Sequence, residues 1–232
     1  MHKNTIWFIP GAFFLIACAL NLFSSAQGTE WADLVKPALL PLLTATTLAY
    51  LLGRDIPNMN QVGLLVAAQL FGFAGDLLLI PSASFAFFAA GIGAFLIGHV
   101  FYMSFFGGQS WKGLSIWLWL IALVFMAAAV FAAVRAIGIH GSLLAPMCVY
   151  AFALTLLFFS ALAGVLRMPR GFRATWWILL FGALFFIISD ACLALSIFGN
   201  MIFPLRHLVI MGTYLAAQSL LAVGGVRLIL GK

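Results

Sequence analysis

Charge is the scarcest commodity in this 232-residue chain: eleven Lys/Arg and five Asp/Glu make up 7% of it. A soluble domain carries about 25% charged residues, so a water-soluble surface cannot be built from this sequence. No polar stretch is long enough to form a separate soluble domain, and residues 1–232 read as one integral-membrane domain. Any chemistry must therefore happen within or at the edge of a bilayer. Cysteine is equally sparse. Cys18, Cys148 and Cys192 lie inside apolar runs at unrelated spacings, which excludes a CxxC or metal pattern and predicts free, buried thiols. The four histidines are scattered, with no HExxH cluster, so neither a metal site nor any cofactor is expected. There is no GxSxG motif for a nucleophilic serine. The net charge of +6 is spread over short loops rather than gathered into a patch. That distribution excludes nucleic-acid binding and leaves membrane orientation as its reading.

What the chain has in abundance is apolar sequence, at 66%. A membrane helix needs about 20 mostly apolar residues, and eight such spans are predicted at roughly 5–23, 34–53, 61–80, 84–106, 114–134, 142–166, 174–197 and 206–229. The fold class is thus all-α, a polytopic bundle of about eight transmembrane helices. Turn chemistry separates the spans at Arg54-Asp55-Ile56-Pro57-Asn58, Pro81-Ser82, Gly107-Gly108-Gln109-Ser110, Arg167-Met168-Pro169-Arg170-Gly171 and Gly199-Asn200. Lys3 ahead of an apolar run, with Ser24-Ser25-Ala26 after it, imitates a signal peptide. The run is long for that role, and a retained helix is expected. With the N-terminus cytoplasmic, Lys3, Arg54, Lys112, Arg167, Arg170, Arg173 and Lys232 fall on that side. Lys36, Arg135 and Arg206 fall on the other, with Glu30 and Asp33. The excess of basic residues predicts that both termini are cytoplasmic. The short loops suggest a bacterial inner membrane, and an endoplasmic-reticulum membrane suits the same pattern.

Close helix packing is written into the small residues. Ala86, Ala90, Ala94 and Gly98 recur every four residues on the fourth span, and Gly72 and Gly75 sit on the third. Phe73-Ala74-Gly75-Asp76-Leu77-Leu78-Leu79 on the third span is echoed by Ile187-Ile188-Ser189-Asp190-Ala191-Cys192-Leu193 on the seventh. Spans four apart run the same way, which reads as two parallel four-helix repeats about an axis along the membrane normal. The tryptophans, Trp7, Trp31, Trp111, Trp117, Trp119, Trp176 and Trp177, are expected to form interfacial belts near span ends.

Two residues break the apolar pattern. A carboxylate at mid-helix costs at least about 2.5–3.5 kcal/mol to insert, and both Asp76 and Asp190 are flanked by apolar sequence. Such residues must face the bundle interior or a wet cavity. The rise from Gln61 to Asp76 is roughly 22 Å, and that from Ala174 to Asp190 roughly 24 Å. The two acids therefore reach a similar level in the half of the membrane away from the cytoplasm. Two carboxylates sharing an apolar site do not both ionise easily, so one keeps its proton and can donate it while the other stays charged. The plainer alternative is that each acid only bonds a neighbouring helix.

Lys36, just before Pro37, is placed to neutralise an acid or hold a phosphate; the alternative is a snorkelling interfacial lysine. Arg206 and His207 open the last span from the same side. Tyr214 and Gln218 follow on one helix face, as do His99 and Tyr102 on the fourth span. His99 is expected deeper, toward the cytoplasmic side and poorly matched to Asp76, lining a cavity or bridging helices. His2 and His140 read as loop residues. Ser189 is expected to bond its own backbone.

Gly75-Asp76-Leu77-Leu78-Leu79 followed by Gly91, Ala94-Phe95 and His99-Val100-Phe101-Tyr102, then Ser189-Asp190 and Thr213-Tyr214-Leu215-Ala216-Ala217-Gln218, resemble the motifs of the YhhN family. Lys36-Pro37 fits the same pattern, and the resemblance covers roughly residues 30–230. The family includes the animal transmembrane lysoplasmalogenases. The resemblance therefore implies hydrolysis of the vinyl-ether bond of a lysoplasmalogen to a fatty aldehyde and glycerophosphoethanolamine or glycerophosphocholine. It also implies that Asp76 and Asp190 are the catalytic pair and that the partner is a lysophospholipid held within the bilayer among membrane lipids.

Carboxylate chemistry agrees. Protonating the β-carbon of a vinyl ether leaves an oxocarbenium ion. A protonated Asp can be the general acid, and an ionised Asp can stabilise the cation and activate water, as carboxylate pairs do in glycosidases. Which Asp plays which part is not readable, nor is the oligomeric state. The competing expectations are a proton-coupled transporter, which moves solute and releases no aldehyde, and a non-catalytic lipid-binding protein. In the latter, changing the acids alters stability but no turnover.

Overall fold

A computed structural model describes residues 5–80, 84–111, 113, 115–199 and 204–231, without the side chains of residues 108 and 109. His2, Lys3, Pro81, Ser82, Lys112, Asn200 and Lys232, on which parts of the loop and orientation reading rest, lie outside the described residues. Eight long helices carry the chain: α1 (Phe8–Gln27), α2 (Trp31–Leu51), α3 (Met59–Leu79), α4 (Phe85–Ser110), α5 (Ile116–Ala136), α6 (Leu144–Arg167), α7 (Arg170–Ile197) and α8 (Arg206–Ile229). A single 3-10 turn, Gly141–Leu143, leads into α6. Among the described residues there is no strand. The shortest helix has 20 residues, about 30 Å of rise, which matches the hydrocarbon core of a bilayer. All eight are apolar enough to cross it. The chain is an integral multi-pass membrane protein.

Turn chemistry sets most of the ends. Gly28 closes α1 in the left-handed region at φ +66°, returning its N–H to Ser24 and Ser25. Ser24 and Ser25 are therefore buried helix, and α1 packs along α2 and α8. The Asn58 side chain accepts from the Asn60 N–H to open α3, and Pro169 precedes the first residue of α7. One expected break fails. Gly107 to Ser110 continue α4 as helix, because the Trp111 ring packs onto Gly107 and Ser110 Oγ donates back to the Phe106 carbonyl at 3.1 Å. Local glycine content costs about 1 kcal/mol per residue, and packing outweighs it.

The helices form a ring. α1 packs on α2, α2 on α3, α3 on α4, α4 on α6, α6 on α7 and α7 on α8, and α8 returns to α1 while also touching α2 and α3. Among the described residues α5 leans on α6, and its Trp119 also meets Trp111 at the end of α4. The α3–α4 seam is closed by small residues: a Cβ on Gly98 sits 3.2 Å from the Ala68 carbonyl, and one on Gly91 meets Leu79 at 2.9 Å. The expected alanine ridge is only half used, since Ala94 and Gly98 are buried while Ala86 and Ala90 face outward. Trp176 departs from the aromatic-belt reading. It is fully buried and lies flat over Gly164, where only a hydrogen leaves room for the indole. Cys18, Cys148 and Cys192 are free but only partly buried.

Candidate active site

Asp76 stands one turn from the end of α3 and is 2% exposed. Two helices supply its partners. Tyr214 of α8 donates its hydroxyl to Oδ2 at 2.7 Å, and Lys36 of α2 brings Nζ to 3.6 Å from Oδ1. This is the only ion pair among the described residues, so Lys36 is a counter-charge rather than a purely interfacial lysine. A hydrogen-bond line continues behind it: Gln218 lies within reach of the Tyr214 hydroxyl and accepts from the Tyr102 hydroxyl at 3.1 Å. Gly72 of α3 faces this line: a Cβ there lies 3.4 Å from Gln218 Nε2, an ordinary van der Waals distance.

Asp190 on α7 is held differently. Tyr150 of α6 donates its hydroxyl to Oδ2, and among the described residues no cation pairs with it. Ser189 beside it donates to the Ile210 carbonyl on α8 at 3.0 Å, tying α7 to α8 rather than to its own backbone. Phe186, one turn earlier, packs between Tyr214 and His99. Its ring lies 5.7 Å from that of Tyr214 and 4.7 Å from that of His99.

Asp76 and Asp190 line one cavity of about 620 Å³ together with Lys36, Tyr214 and Ser189. This lies within the usual range for ligand sites, about 300–1,000 Å³. The cavity rises from the carboxylates to the end of the bundle where α1 turns into α2, and Glu30, Asp33 and His207 line its upper part. The expectation that the two acids reach a common space holds, and it follows from their matching depth on helices four apart.

Of the other expected site residues, Lys36 and Tyr214 border the cavity. Tyr102 and Gln218 stand behind Tyr214 as its support. His99 is 1% exposed and is not among the residues that line this cavity. It packs edge-on between Tyr150 and Phe186, with the Phe95 carbonyl one turn back within reach of its ring but no hydrogen bond of ordinary geometry at either nitrogen. Arg206 turns to His207, with Nε 3.2 Å from its Nε2, and is not among the cavity residues. His140 is a loop residue, 2.8 Å from Arg135. Among the described residues no three His, Cys, Asp or Glu side chains gather as metal ligands would. The sequence reading missed Tyr150. It also missed Asn21 and Ser25 of α1, two buried polar residues on the cavity wall. The rule that singled out Asp76, a polar group inside an apolar run, applies to all three.

The YhhN family model matches residues 31–225. Among characterised relatives, the chain is 28% identical to the human lysoplasmalogenase TMEM86B over 95% of its own length and 87% of the relative's. It is 26% identical to the mouse lysoplasmalogenase TMEM86B with the same coverage. It is 34% identical to the human lysoplasmalogenase TMEM86A over 80% of its own length and 72% of that protein's. No solved structure matches.

Proposed function

Because this chain belongs to the YhhN family, we propose that it is a membrane hydrolase that opens the vinyl-ether bond of lysoplasmalogens, with Asp76 and Asp190 as its catalytic groups. The observation that carries this reading is the asymmetry of the two carboxylates on one cavity. Asp76 faces a cation, Lys36, at 3.6 Å, whereas Asp190 receives only a neutral hydroxyl, that of Tyr150. Beside a positive charge the ionised form of a carboxylate is favoured, and in an apolar wall without a charge partner the neutral form is favoured.

Asp190 is accordingly the general acid. Its proton goes to the β-carbon of the vinyl ether, forming a C–H bond, while the ether oxygen supplies electrons and the α-carbon becomes an oxocarbenium centre. Asp76 stabilises that cation and takes a proton from the water that attacks it. The hemiacetal so formed breaks its C–O bond to the glycerol, giving a fatty aldehyde and a glycerophospho-alcohol. Water is the only co-reactant. Tyr214 and Tyr150 fix the two carboxylates, and Phe186 packs edge-on against the Tyr214 ring.

The test is aldehyde release from ethanolamine and choline lysoplasmalogens by detergent-purified protein, beside Asp76→Asn and Asp190→Asn. Turnover in the parent that disappears in both folded variants supports the hydrolase and the carboxylate pair together. No turnover on either lipid overturns the substrate assignment.

A further inference from the structure

The corner where α1 turns into α2 forms part of the cavity wall, and the carboxylate chemistry leaves it unused. Asn21 and Ser25, one helical turn apart on α1, both line the cavity. Asn21 is fully buried and Ser25 is 4% exposed, yet neither Asn21 Oδ1 nor Ser25 Oγ has a hydrogen-bond partner. The Asn21 amide nitrogen is fixed on the Ala32 carbonyl at 2.8 Å, which leaves the oxygen as the free end. A buried acceptor without a donor costs about 1–3 kcal/mol, and two adjacent ones on a cavity wall call for donors from a ligand.

The same corner carries negative charge. Glu30, just ahead of α2, and Asp33 and Lys36 on it follow one another at intervals of three, about 5–6 Å between neighbouring Cβ atoms. Glu30 and Asp33 line the cavity and make no ion pair among the described residues. Read inward from the bundle end, the wall presents two carboxylates, two buried acceptors, one ammonium and then the reactive pair. Acidic residues in a first turn also favour the helix dipole, but that role leaves Asn21 and Ser25 unexplained.

We propose that this corner is a headgroup subsite for a lysophospholipid bearing a primary ammonium, that is, a phosphoethanolamine lipid. It builds on the lipid-hydrolase reading of the same cavity. The ammonium sits against Glu30 and Asp33 and donates N–H bonds to Asn21 Oδ1 and Ser25 Oγ. Lys36, one turn further in, faces the phosphate. A quaternary ammonium has the charge but no N–H, so a choline lipid satisfies the carboxylates and leaves both buried oxygens unpaired.

Alkyl-ether lysolipids have no double bond to protonate and report binding without turnover. The full-length protein in detergent is titrated calorimetrically with alkyl-glycerophosphoethanolamine, alkyl-glycerophosphocholine and alkyl-glycerophosphate of one chain length. Two charge-assisted hydrogen bonds make the ethanolamine lipid about 100-fold tighter than the choline lipid. Ser25→Ala, which breaks no bond in the structure, narrows that gap, and Asn21→Leu with Ser25→Ala closes it. Glu30→Gln with Asp33→Asn instead removes the advantage of both amine lipids over the phosphate lipid. Equal affinity for the three lipids in the parent, or preferences that survive these substitutions, overturns the subsite. If the binding preferences hold while no vinyl ether is cleaved, the subsite stands and the hydrolase assignment falls.

Discussion

The hydroxyl of Tyr214 on α8 reaches across the bundle to the carboxylate of Asp76 on α3, 2.7 Å away. Its counterpart, Tyr150, serves Asp190 from α6, so the two acids are oriented from different helices. Tyr214→Phe leaves Asp76 its contact with Lys36, whereas Tyr150→Phe strips Asp190 of its only hydrogen-bond donor among the described residues. Each change is expected to cost about 1–3 kcal/mol through an unsatisfied buried acceptor. Turnover falls further for Tyr150→Phe, about 10²-fold or more, as befits a proton donor that loses its orientation. Thermal unfolding in detergent and aldehyde release check the two effects separately.

Lys36 and Asp76 are expected to behave as a coupled pair. Lys36→Met leaves a buried carboxylate without its counter-charge and destabilises by about 3 kcal/mol, the low end for a buried pair, because the Lys36 side chain is 17% exposed. Lys36→Met combined with Asp76→Asn recovers most of that loss. A double-mutant cycle on unfolding midpoints measures the coupling; additive losses show that the 3.6 Å approach carries no energy.

The α3–α4 seam gives a packing prediction. A Cβ on Gly75 lies 2.7 Å from the Phe95 ring, so Gly75→Ala forces the ring off its position and costs about 1–3 kcal/mol. Phe95→Leu in the same chain restores part of it. The ring of Phe95 also lies 6.1 Å from that of Tyr214, so Gly75→Ala is expected to lower turnover as well as the unfolding midpoint.

Sequence reading recovers what the bilayer itself dictates. A span must be apolar for its full length, which makes all eight helices legible, and a carboxylate inside an apolar span is too costly to be idle, which exposes Asp76 and Asp190. Features decided by which helix faces which remain hidden. Tyr150 obeys the insertion-cost rule only weakly, because a tyrosine enters an apolar span at little cost, and nothing in the chain says that its face of α6 meets the face of α7 that carries Asp190. Trp176 is misread as a belt residue because its neighbour Gly164, which makes space for it, comes from another helix. The glycines after Phe106 suggest a turn until the Trp111 ring is seen lying on Gly107. Asn21 obeys the same insertion-cost rule as the acids, but its run also imitates a leader sequence.

Orientation is testable by labelling. If the basic loops face the cytoplasm, a cysteine replacing Asp55, between α2 and α3, is modified only from the cytoplasmic side. One replacing His140, between α5 and α6, is modified only from the opposite side. Membrane-impermeant maleimide on bacterial spheroplasts and inverted inner-membrane vesicles reads both; reversed labelling turns the topology over.

The shallow position of Asp76, three residues from the end of α3, or about 5 Å of helix, confines the proposed hydrolysis to one leaflet. A lysolipid anchored in that leaflet holds its glycerol linkage near this depth and reaches the carboxylates by lateral diffusion alone. Lipids of the opposing leaflet are out of reach until something flips them. The rate at which such a protein clears its substrate from a cell is then bounded by transbilayer exchange as well as by its own turnover.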